Sequence, residues 1–298
     1  MAQCARLLFG VRHQTRLIPH ASICLALLLA DGTVPPARGR NPTDLFPTDL
    51  FPTDRLTSLP AATLSTIAPP HLAPPLPAIA SLPFTCAGET LQLASDRAIW
   101  WPARRTLLVA DTHFGKAATF RALGQPVPSG TTQGNLNRLD ALLAHWDAER
   151  LVILGDFLHG PHAHSPELLD ALHRWRARHA GRDCVLVRGN HDDRAGDPPA
   201  SLDIDIVDEP LIDGPFALCH VPQRRPGHYV LAGHVHPAFV LRGRGRDRLR
   251  LPCFSFDPEV GTLPAFGEFT GHYEVAGAAG RRIVVVAPSA VFEVPAAR

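Results

Sequence analysis

The 298-residue sequence lacks long apolar runs, closely spaced cysteine pairs and a marked excess of charge of one sign. No stretch reaches the roughly 18 consecutive apolar residues that a membrane-spanning helix needs, so we expect no membrane partner. The formal net charge is only +1, which excludes a strong overall basic field for attracting nucleic acid. Any nucleic-acid partner must therefore be held by a local basic patch.

The six cysteines form no C-x-x-C pair and show no spacing typical of a small disulfide framework. Cys184 and Cys219 instead lie in apolar, strand-like runs, where a buried and reduced thiol is the expected state. This distribution favours a reducing compartment, and we predict a cytoplasmic protein.

Two frequent signatures of catalysis are also missing. The sequence has no G-x-S-x-G motif that would mark a serine nucleophile, and Gly115-Lys116 is not a P-loop because no glycine stands five residues before Gly115. A reaction that needs a protein nucleophile is therefore not indicated.

The first 84 residues differ in composition from the rest, and 13 of the 30 prolines precede residue 84. The pentad at 42–46 is repeated at 47–51, and 68–77 is rich in proline and alanine. Proline removes backbone donors and fixes φ, so we predict a disordered extension over 1–84. Arginines before the apolar run 21–30 imitate an export signal, but Leu28 stands where a cleavage site favours a small residue. We prefer an incidental or misassigned leader to an exported one.

From residue 85 the sequence predicts a folded domain that continues to residue 298. Short apolar runs at 106–110, 151–154 and 184–187 are typical of buried strands, and they alternate with helical repeats at 135–146 and 165–179. The second half is strand-rich and has few helical repeats. We therefore predict an α/β domain in which two sheets pack together with helices outside.

Five polar motifs occur in a fixed order along this domain, and four of them directly follow an apolar run. They are Asp111-Thr-His113, Gly155-Asp156, Gly189-Asn-His-Asp192, His220 and Gly233-His-Val-His236. Taken singly, each has a simpler explanation: a strand-end turn, a carboxylate cap or a core histidine. Taken together, they supply carboxylates, an amide and imidazoles at the ends of successive strands, which is the ligand inventory of a site for two divalent cations.

The set of motifs resembles that of the calcineurin-like metallophosphoesterase superfamily, and the resemblance implies a four-layer αββα sandwich. It also implies seven metal ligands: one ion is bound by Asp111, His113 and His236, the other by Asn190, His220 and His234, and Asp156 bridges the two. His191 would contact the phosphate and assist the leaving group, and Asp192 would orient His191. We expect Mn²⁺, with Fe or Zn²⁺ as alternatives, because such N/O ligand sets accept all three.

The run 107–116, together with 154–160 and the segment after Gly233-His-Val-His236, is similar to the PdeM-type branch of this superfamily. That branch is described as a ligase-associated DNA damage response endonuclease, so the resemblance implies DNA as substrate and a DNA ligase and a helicase as partners in repair. The similarity covers about 85–295 and does not extend to the first 84 residues.

Candidate substrate contacts are Lys116 and Arg121, which follow the first ligand pair, and the arginines of the predicted hairpin tip, Arg242, Arg244 and Arg246. A charged hairpin tip can equally serve solubility, and both interpretations stay open. His159 lies in the loop after Asp156, where it could line the site or be a solvated loop residue.

Three hypotheses for function follow. The first is a DNA phosphodiesterase, and the second is an enzyme acting on a small phosphodiester, a nucleotide or a phosphoprotein. The third is a non-catalytic scaffold with the same fold, which we disfavour because no predicted ligand is missing.

Overall fold

The computed structural model describes residues 79–122, 124–127, 130–268 and 270–295. The predicted leader and nearly all of the predicted disordered extension lie outside the described residues. The first described strand begins at Ser81, four residues before the predicted start of the domain. Among the described helices, none combines the length and the apolar character needed to cross a lipid bilayer.

The first sheet has seven strands that lie side by side in chain order. They are β1 (Ser81–Cys86), β2 (Glu89–Ala94), β3 (Ile99–Trp101), β4 (Thr106–Ala110), β5 (Arg150–Leu154), β6 (Asp183–Val187) and β7 (Asp205–Val207). Strands β1 to β4 form an antiparallel meander, whereas β4 to β7 are parallel. Because parallel neighbours end at the same edge, the loops after β4, β5 and β6 emerge side by side.

Four α-helices occur within the described residues, and all of them lie between strands of this parallel half. They are α1 (Lys116–Ala122), α2 (Thr131–His145), α3 (Pro166–Arg178) and α4 (Asn190–Ala195). The start of α3 agrees with the sequence prediction: the Ser165 hydroxyl accepts a hydrogen bond from the Leu168 amide at 3.4 Å, and Pro166 occupies the first turn. Short 3₁₀ turns span Pro102–Arg104, Pro161–His164 and Ala200–Leu202.

The second sheet contains the strands of the second half of the chain. They are β8 (Leu211–Asp213), β9 (Phe216–Cys219), β10 (Tyr229–Ala232), β11 (Pro237–Arg242), β12 (Arg248–Phe256), β13 (Val260–Thr262), β14 (Tyr273–Glu274), β15 (Arg282–Ala287) and β16 (Ala290–Glu293). The main path runs β14-β11-β12-β13-β10-β9-β8, and β15 and β16 extend it from β12. β9 and β10 are parallel, so His220 and His234 leave the sheet at the same edge.

The core lies in two layers on the two faces of the first sheet. In β4, Leu107 and Val109 pack against the helices, while Leu108 and Ala110 face the second sheet. This alternation follows from the two-residue period of a strand and buries both faces. The predicted α/β architecture of two packed sheets with helices is therefore confirmed. The expected helical layer outside the second sheet is not formed by any helix within the described residues.

The cysteines agree with the sequence prediction. Cys184 and Cys219 are buried free thiols in β6 and β9, and Cys86 and Cys253 are also buried and free. Burial raises the pKa of Cys184 and of Cys253 to about 12, so both thiols stay protonated and unreactive.

Candidate metal centre

The loops that follow β4, β5, β9 and β10 bring the polar motifs together in strained backbone conformations. Five of the seven predicted ligands have a left-handed φ: Asp111 (54°), His113 (45°), Asp156 (52°), His234 (69°) and His236 (51°). A non-glycine residue in this region costs about 1 to 3 kcal/mol, and such residues concentrate at functional sites. The strain is thus located in the loops that carry the motifs.

Backbone hydrogen bonds hold the turns after β4 and β5 against each other. The His113 amide donates to the Asp156 carbonyl at 2.8 Å, and the Phe114 amide donates to the Phe157 carbonyl at 2.8 Å. The turn after β10 is joined to the first turn by the His234 amide, which donates to the Asp111 carboxylate at 2.9 Å. These hydrogen bonds therefore join the loops directly to one another.

Asp111, His113 and His236 form the first cluster of candidate ligands. The Nε2 atoms of His113 and His236 are 3.4 Å apart, and Asp111 Oδ1 is 3.4 Å from His236 Nε2. The three ligand atoms, one from each residue, lie within 4.8 Å of one another. Asp111 is fully buried and His113 nearly so, so the donors converge in a place that water reaches poorly.

Asn190, His220 and His234 form the second cluster. His220 Nε2 is 2.9 Å from the Asn190 side-chain oxygen and 3.0 Å from His234 Nδ1. His220 Nδ1 lies 3.2 Å from the Leu154 carbonyl, which accepts a hydrogen bond from it when that nitrogen carries the proton. This tautomer leaves Nε2 free to act as a ligand.

Asp156 stands between the two clusters and turns one carboxylate oxygen toward each. Its Oδ2 is 3.6 Å from His113 Nε2, whereas its Oδ1 is 3.4 Å from His220 Nε2. The carboxylate is almost fully buried, and the His191 amide donates to Oδ1 at 2.9 Å. This is the position that a bridging carboxylate needs.

The protonation states fit cation binding, because ligand imidazoles must be neutral. Burial lowers the pKa of His113, with further lowering by the nearby charge of Lys116, and burial likewise lowers the pKa of His234. For His236, burial disfavours the charged form, but the hydrogen bond and charge of Asp111 outweigh it and raise the pKa. The neutral imidazoles of His113 and His234 and the two carboxylates fit a pair of divalent cations, whereas His236 must give up a proton that Asp111 stabilises before it can act as a ligand.

His191 lies beside the first cluster, but the predicted role of Asp192 is wrong. The Asp192 carboxylate accepts hydrogen bonds from the Leu158 and Gly189 amides, both at 2.9 Å, and it does not contact the His191 ring. His191 Nδ1 instead lies 2.8 Å from the His159 carbonyl, which therefore orients the imidazole. Asp192 acts on His191 only indirectly. Its carboxylate joins the backbone beside His159 to the backbone beside His191, and so helps to keep the His159 carbonyl in place.

The structure resolves the open question about His159 in favour of a place at the site. The His159 ring stacks on that of His191 at 4.9 Å, and its Nδ1 is 3.3 Å from His113 Nδ1. Burial and the neighbouring Lys116 charge lower the pKa of His159 to about 4. The sequence shows that His159 follows Asp156 by only three residues, which places it near the predicted site. This spacing does not reveal whether the loop folds back so that the side chain reaches the site.

Glu209 is a supporting residue that the sequence did not indicate. Its Oε2 accepts hydrogen bonds from the amides of His220 and Val221 at 2.7 and 2.9 Å. It precedes β8 and carries no recognisable motif. Its contribution is to fix the backbone at a predicted ligand.

The candidate substrate residues fall into two groups. Lys116 is half-buried at the start of α1. Burial lowers the pKa of its ammonium group, and the charges of Asp156 and Asp111 offset part of this effect. Arg121 is exposed on the same helix, and the described residues show no contact between it and the centre. Arg242, Arg244 and Arg246 lie at the β11–β12 hairpin, where the predicted hairpin is confirmed and all three are exposed.

Two packed mixed sheets with a carboxylate placed between two histidine-rich clusters define a metallophosphoesterase. The model of the calcineurin-like phosphoesterase family matches residues 104–216, and the chain belongs to this family. The crystal structure of Pseudomonas putida nuclease MPE is 52% identical in sequence, and the match covers 72% of this chain and 100% of that one with a TM-score of 0.65.

Two further solved structures match more weakly. A protein of unknown function, AQ665 from Aquifex aeolicus, is 20% identical over 44% of this chain and 78% of its own, with a TM-score of 0.32. Yfce, a phosphoesterase from E. coli, is 16% identical over 63% and 97%, also with a TM-score of 0.32. No curated protein matches the chain.

Proposed function

We propose that this protein is a metal-dependent nuclease that hydrolyses phosphodiester bonds of DNA. The observation that carries the proposal is Asp156, whose two oxygens face the two ligand clusters at 3.6 and 3.4 Å. The 52% identity to a nuclease over the whole of that chain supports DNA as the substrate class. All seven predicted ligands are present in the clusters, which argues against a scaffold that has lost catalysis.

In this proposal Asp111, His113 and His236 would hold one divalent cation, Asn190, His220 and His234 would hold the other, and Asp156 would be shared by the two. Such a pair of cations lowers the pKa of a water molecule and offsets the charge of the phosphate oxygens. We expect Mn²⁺ and keep Fe and Zn²⁺ as alternatives, since histidine and carboxylate donors suit all of them.

The residues around the cations would position the phosphate and donate a hydrogen bond or a proton to its oxygens. His191 gives its Nδ1 proton to the hydrogen bond with the His159 carbonyl, so Nε2 is the nitrogen that faces the substrate. In the imidazolium form, in which both ring nitrogens carry a proton, Nε2 would donate to a phosphate oxygen, either a non-bridging one or the departing one, and would leave a neutral imidazole with its proton on Nδ1. Lys116 lies near enough to both aspartates to add a positive charge for the same phosphate.

We extend the proposal to a role in DNA repair in the cytoplasm, beside a DNA ligase and a helicase. This extension is supported by the resemblance of the 107–116 and 154–160 segments to ligase-associated nucleases. Co-purification of the full chain with a ligase and a helicase from the source cells, with and without nuclease digestion of bridging DNA, tests it. Absence of both partners would contradict it.

The experiment for the nuclease itself measures Mn²⁺-dependent cleavage of circular single-stranded DNA and hydrolysis of bis-p-nitrophenyl phosphate in parallel. We expect Asp156→Asn to lose more than about 100-fold on both substrates, because even outer-shell partners of metal ligands cost about 10- to 100-fold. His191→Ala should lose about 100- to 10,000-fold, the range of a general acid.

The double variant Arg244→Glu/Arg246→Glu separates DNA from a small diester. It should depress cleavage of DNA in a salt-dependent way and spare bis-p-nitrophenyl phosphate, since only DNA extends to the hairpin. Arg174→Glu, on the exposed face of α3, is the matched control for a change of charge elsewhere. Turnover of the diester with intact circles would reject DNA as substrate, and no turnover with any of the three metals would favour the scaffold.

A further inference from the structure

Tyr273 is an exposed aromatic residue beside the metal centre, and the fold does not explain its exposure. Its relative exposure is 66%, the highest of the large hydrophobic residues within the described part of the chain. It begins the two-residue edge strand β14, whose partner Pro237 directly follows His236. The Tyr273 amide donates to the His236 carbonyl at 3.0 Å, so the ring projects from backbone that is anchored to a predicted ligand.

The neighbours of Tyr273 on either side connect the centre to the basic hairpin. On one side, His236 Nδ1 lies 3.1 Å from the Gly271 carbonyl. On the other, the Glu274 carboxylate binds Arg250 at 3.1 Å and lies 3.9 Å from Arg242. Tyr273 therefore stands between the metal centre and the arginines of the β11–β12 hairpin.

The surface around this tyrosine is positive. Near it, three cationic side chains, Arg97, Arg250 and Lys116, are close enough for their charges to act on the adjacent His272. The hairpin adds Arg244, Arg246 and Arg248, all exposed, against the carboxylates of Asp247 and Glu274. A polyanion that approaches the centre from the hairpin passes cationic side chains on both sides of the Tyr273 ring.

An exposed ring within a positive strip is the arrangement by which proteins hold single-stranded nucleic acid. The cations track the phosphate backbone, and the aromatic face stacks on a base, which is sequence-tolerant because every base has a π-face. Tyr229, by contrast, is partly buried: its ring packs edge-on against Phe216, and its hydroxyl donates to the Asp257 carbonyl at 2.7 Å. Tyr273 makes neither kind of contact within the described residues.

We infer that Tyr273 is a base-stacking site for the nucleotide next to the scissile phosphate, on the side of the strand that leads to the hairpin. The inference rests on the proposed nuclease function and names the form of its substrate at this position: an unpaired base. Because stacking needs a base with a free face, a base inside a duplex or an abasic position offers nothing to this ring. The residue is thus a determinant of substrate binding and not of the chemical step.

The test compares Tyr273→Ala, Tyr273→Phe and the parent on a labelled single-stranded oligonucleotide with Mn²⁺. Tyr273→Ala should raise KM about fivefold or more, which is the lower limit for the loss of one base–aromatic stack. Tyr273→Phe keeps the ring and should stay within about twofold of the parent. The kcat/KM for an oligonucleotide that is abasic at every position should not change in either variant, since it offers the ring no aromatic face.

Single abasic positions moved along the oligonucleotide locate the stacked base. The parent should lose affinity when one particular position next to the cleavage site is abasic, and Tyr273→Ala should show no further loss at that position, because the two changes remove the same contact. Ile212→Ala is the matched control: Ile212 is 48% exposed and lies on β8, at the opposite edge of the second sheet from β14. It should match the parent on every substrate.

Two results would overturn the inference. One is an unchanged KM of Tyr273→Ala for DNA, and the other is an equal loss on the fully abasic oligonucleotide, which would mean that the change disturbs the centre and not the binding of a base. Failure of the nuclease proposal is visible in the parent alone: it would turn over the small diester and leave every oligonucleotide intact. In that case the base-stacking site falls with it.

Discussion

At the scale of single residues, the centre is defined by close approaches that leave no room for a side chain. A Cβ on Gly189 would lie 2.5 Å from the Asp156 carboxylate oxygen, and a Cβ on Gly155 would lie 2.1 Å from His220 Nδ1. Both contacts are far inside van der Waals distance, and Gly155 also has a left-handed φ of 77°. The glycines in these motifs are therefore required by the ligands that pack on them.

Gly189→Ala should consequently displace Asp156 and weaken binding of Mn²⁺ by more than about tenfold, comparable with the loss of an outer-shell partner. Isothermal titration calorimetry measures this directly. The matched control is Gly134→Ala in α2, where a Cβ meets nothing within 4 Å. That change should leave Mn²⁺ binding intact and stabilise the helix by about 0.5 to 1 kcal/mol. Equal Mn²⁺ affinity in the two variants would show that Asp156 tolerates the shift.

The residues of the centre were predictable where chemistry depends on order along the chain. The aspartates and histidines of the motifs end successive parallel strands, so topology brings them together without further information. Asp192 was misinterpreted because its partners are backbone amides, of Leu158 and Gly189, and amides leave no trace in a motif. The roles of the individual ligands stay predictions.

At the scale of elements, the segment 265–267 supports the first ligand pair. The Phe266 amide donates to the Ala110 carbonyl at 2.8 Å, and the Gly267 amide donates to the Asp111 carbonyl at 3.0 Å. Two arginines hold this segment from the other side. Arg97 donates to the Ala265 and Gly267 carbonyls, and Arg138 donates to the Phe266 carbonyl and stacks 4.2 Å above the Phe266 ring.

Removal of the Arg138 guanidinium should loosen this support. Arg138→Met leaves the Phe266 carbonyl without its charged donor, which costs about 1 to 3 kcal/mol. For a domain of this size we expect Tm to fall by about 2 to 10 °C in a thermal unfolding scan. Arg174→Met, at an exposed position of α3, should stay within about 1 °C of the parent. Equal shifts in both variants would refute the supporting role.

Elements with a strong local signal were predictable, and those without one were not. Ser165 and Pro166 indicate the start of α3, and the short apolar runs 106–110 and 184–187 indicate β4 and β6. By contrast, α2 begins at Thr131, four residues before its predicted start, because its first turn is polar and adds nothing to the apolar repeat. Strand β14 has only two residues, both exposed, and exists because β11 pairs with it. Such pairing depends on contacts between residues that are distant in the sequence, so the local sequence does not predict it.

At the scale of the whole molecule, the centre joins the two sheets. Asp111 and Asp156 follow strands of the first sheet, whereas His220 and His234 follow strands of the second. Across this edge, His220 Nδ1 lies 3.2 Å from the Leu154 carbonyl, and the His234 amide donates to the Asp111 carboxylate at 2.9 Å. Cations that are bound by ligands from both sheets would therefore crosslink the two layers of the core.

Cation binding should for this reason stabilise the entire domain and not only the loops. A ligand that binds only the folded state adds about 2.7 kcal/mol at 100 times its Kd, which corresponds to a rise in Tm of about 5 to 11 °C here. We expect the Tm of chelator-treated protein to rise with Mn²⁺ concentration in this way, and Asp156→Asn to lose most of the rise because both clusters lose their shared ligand. Asp247→Asn, which removes an exposed carboxylate at the hairpin tip, should respond like the parent. If Mn²⁺ bound to the parent while Tm stayed constant, the crosslink between the layers would be wrong.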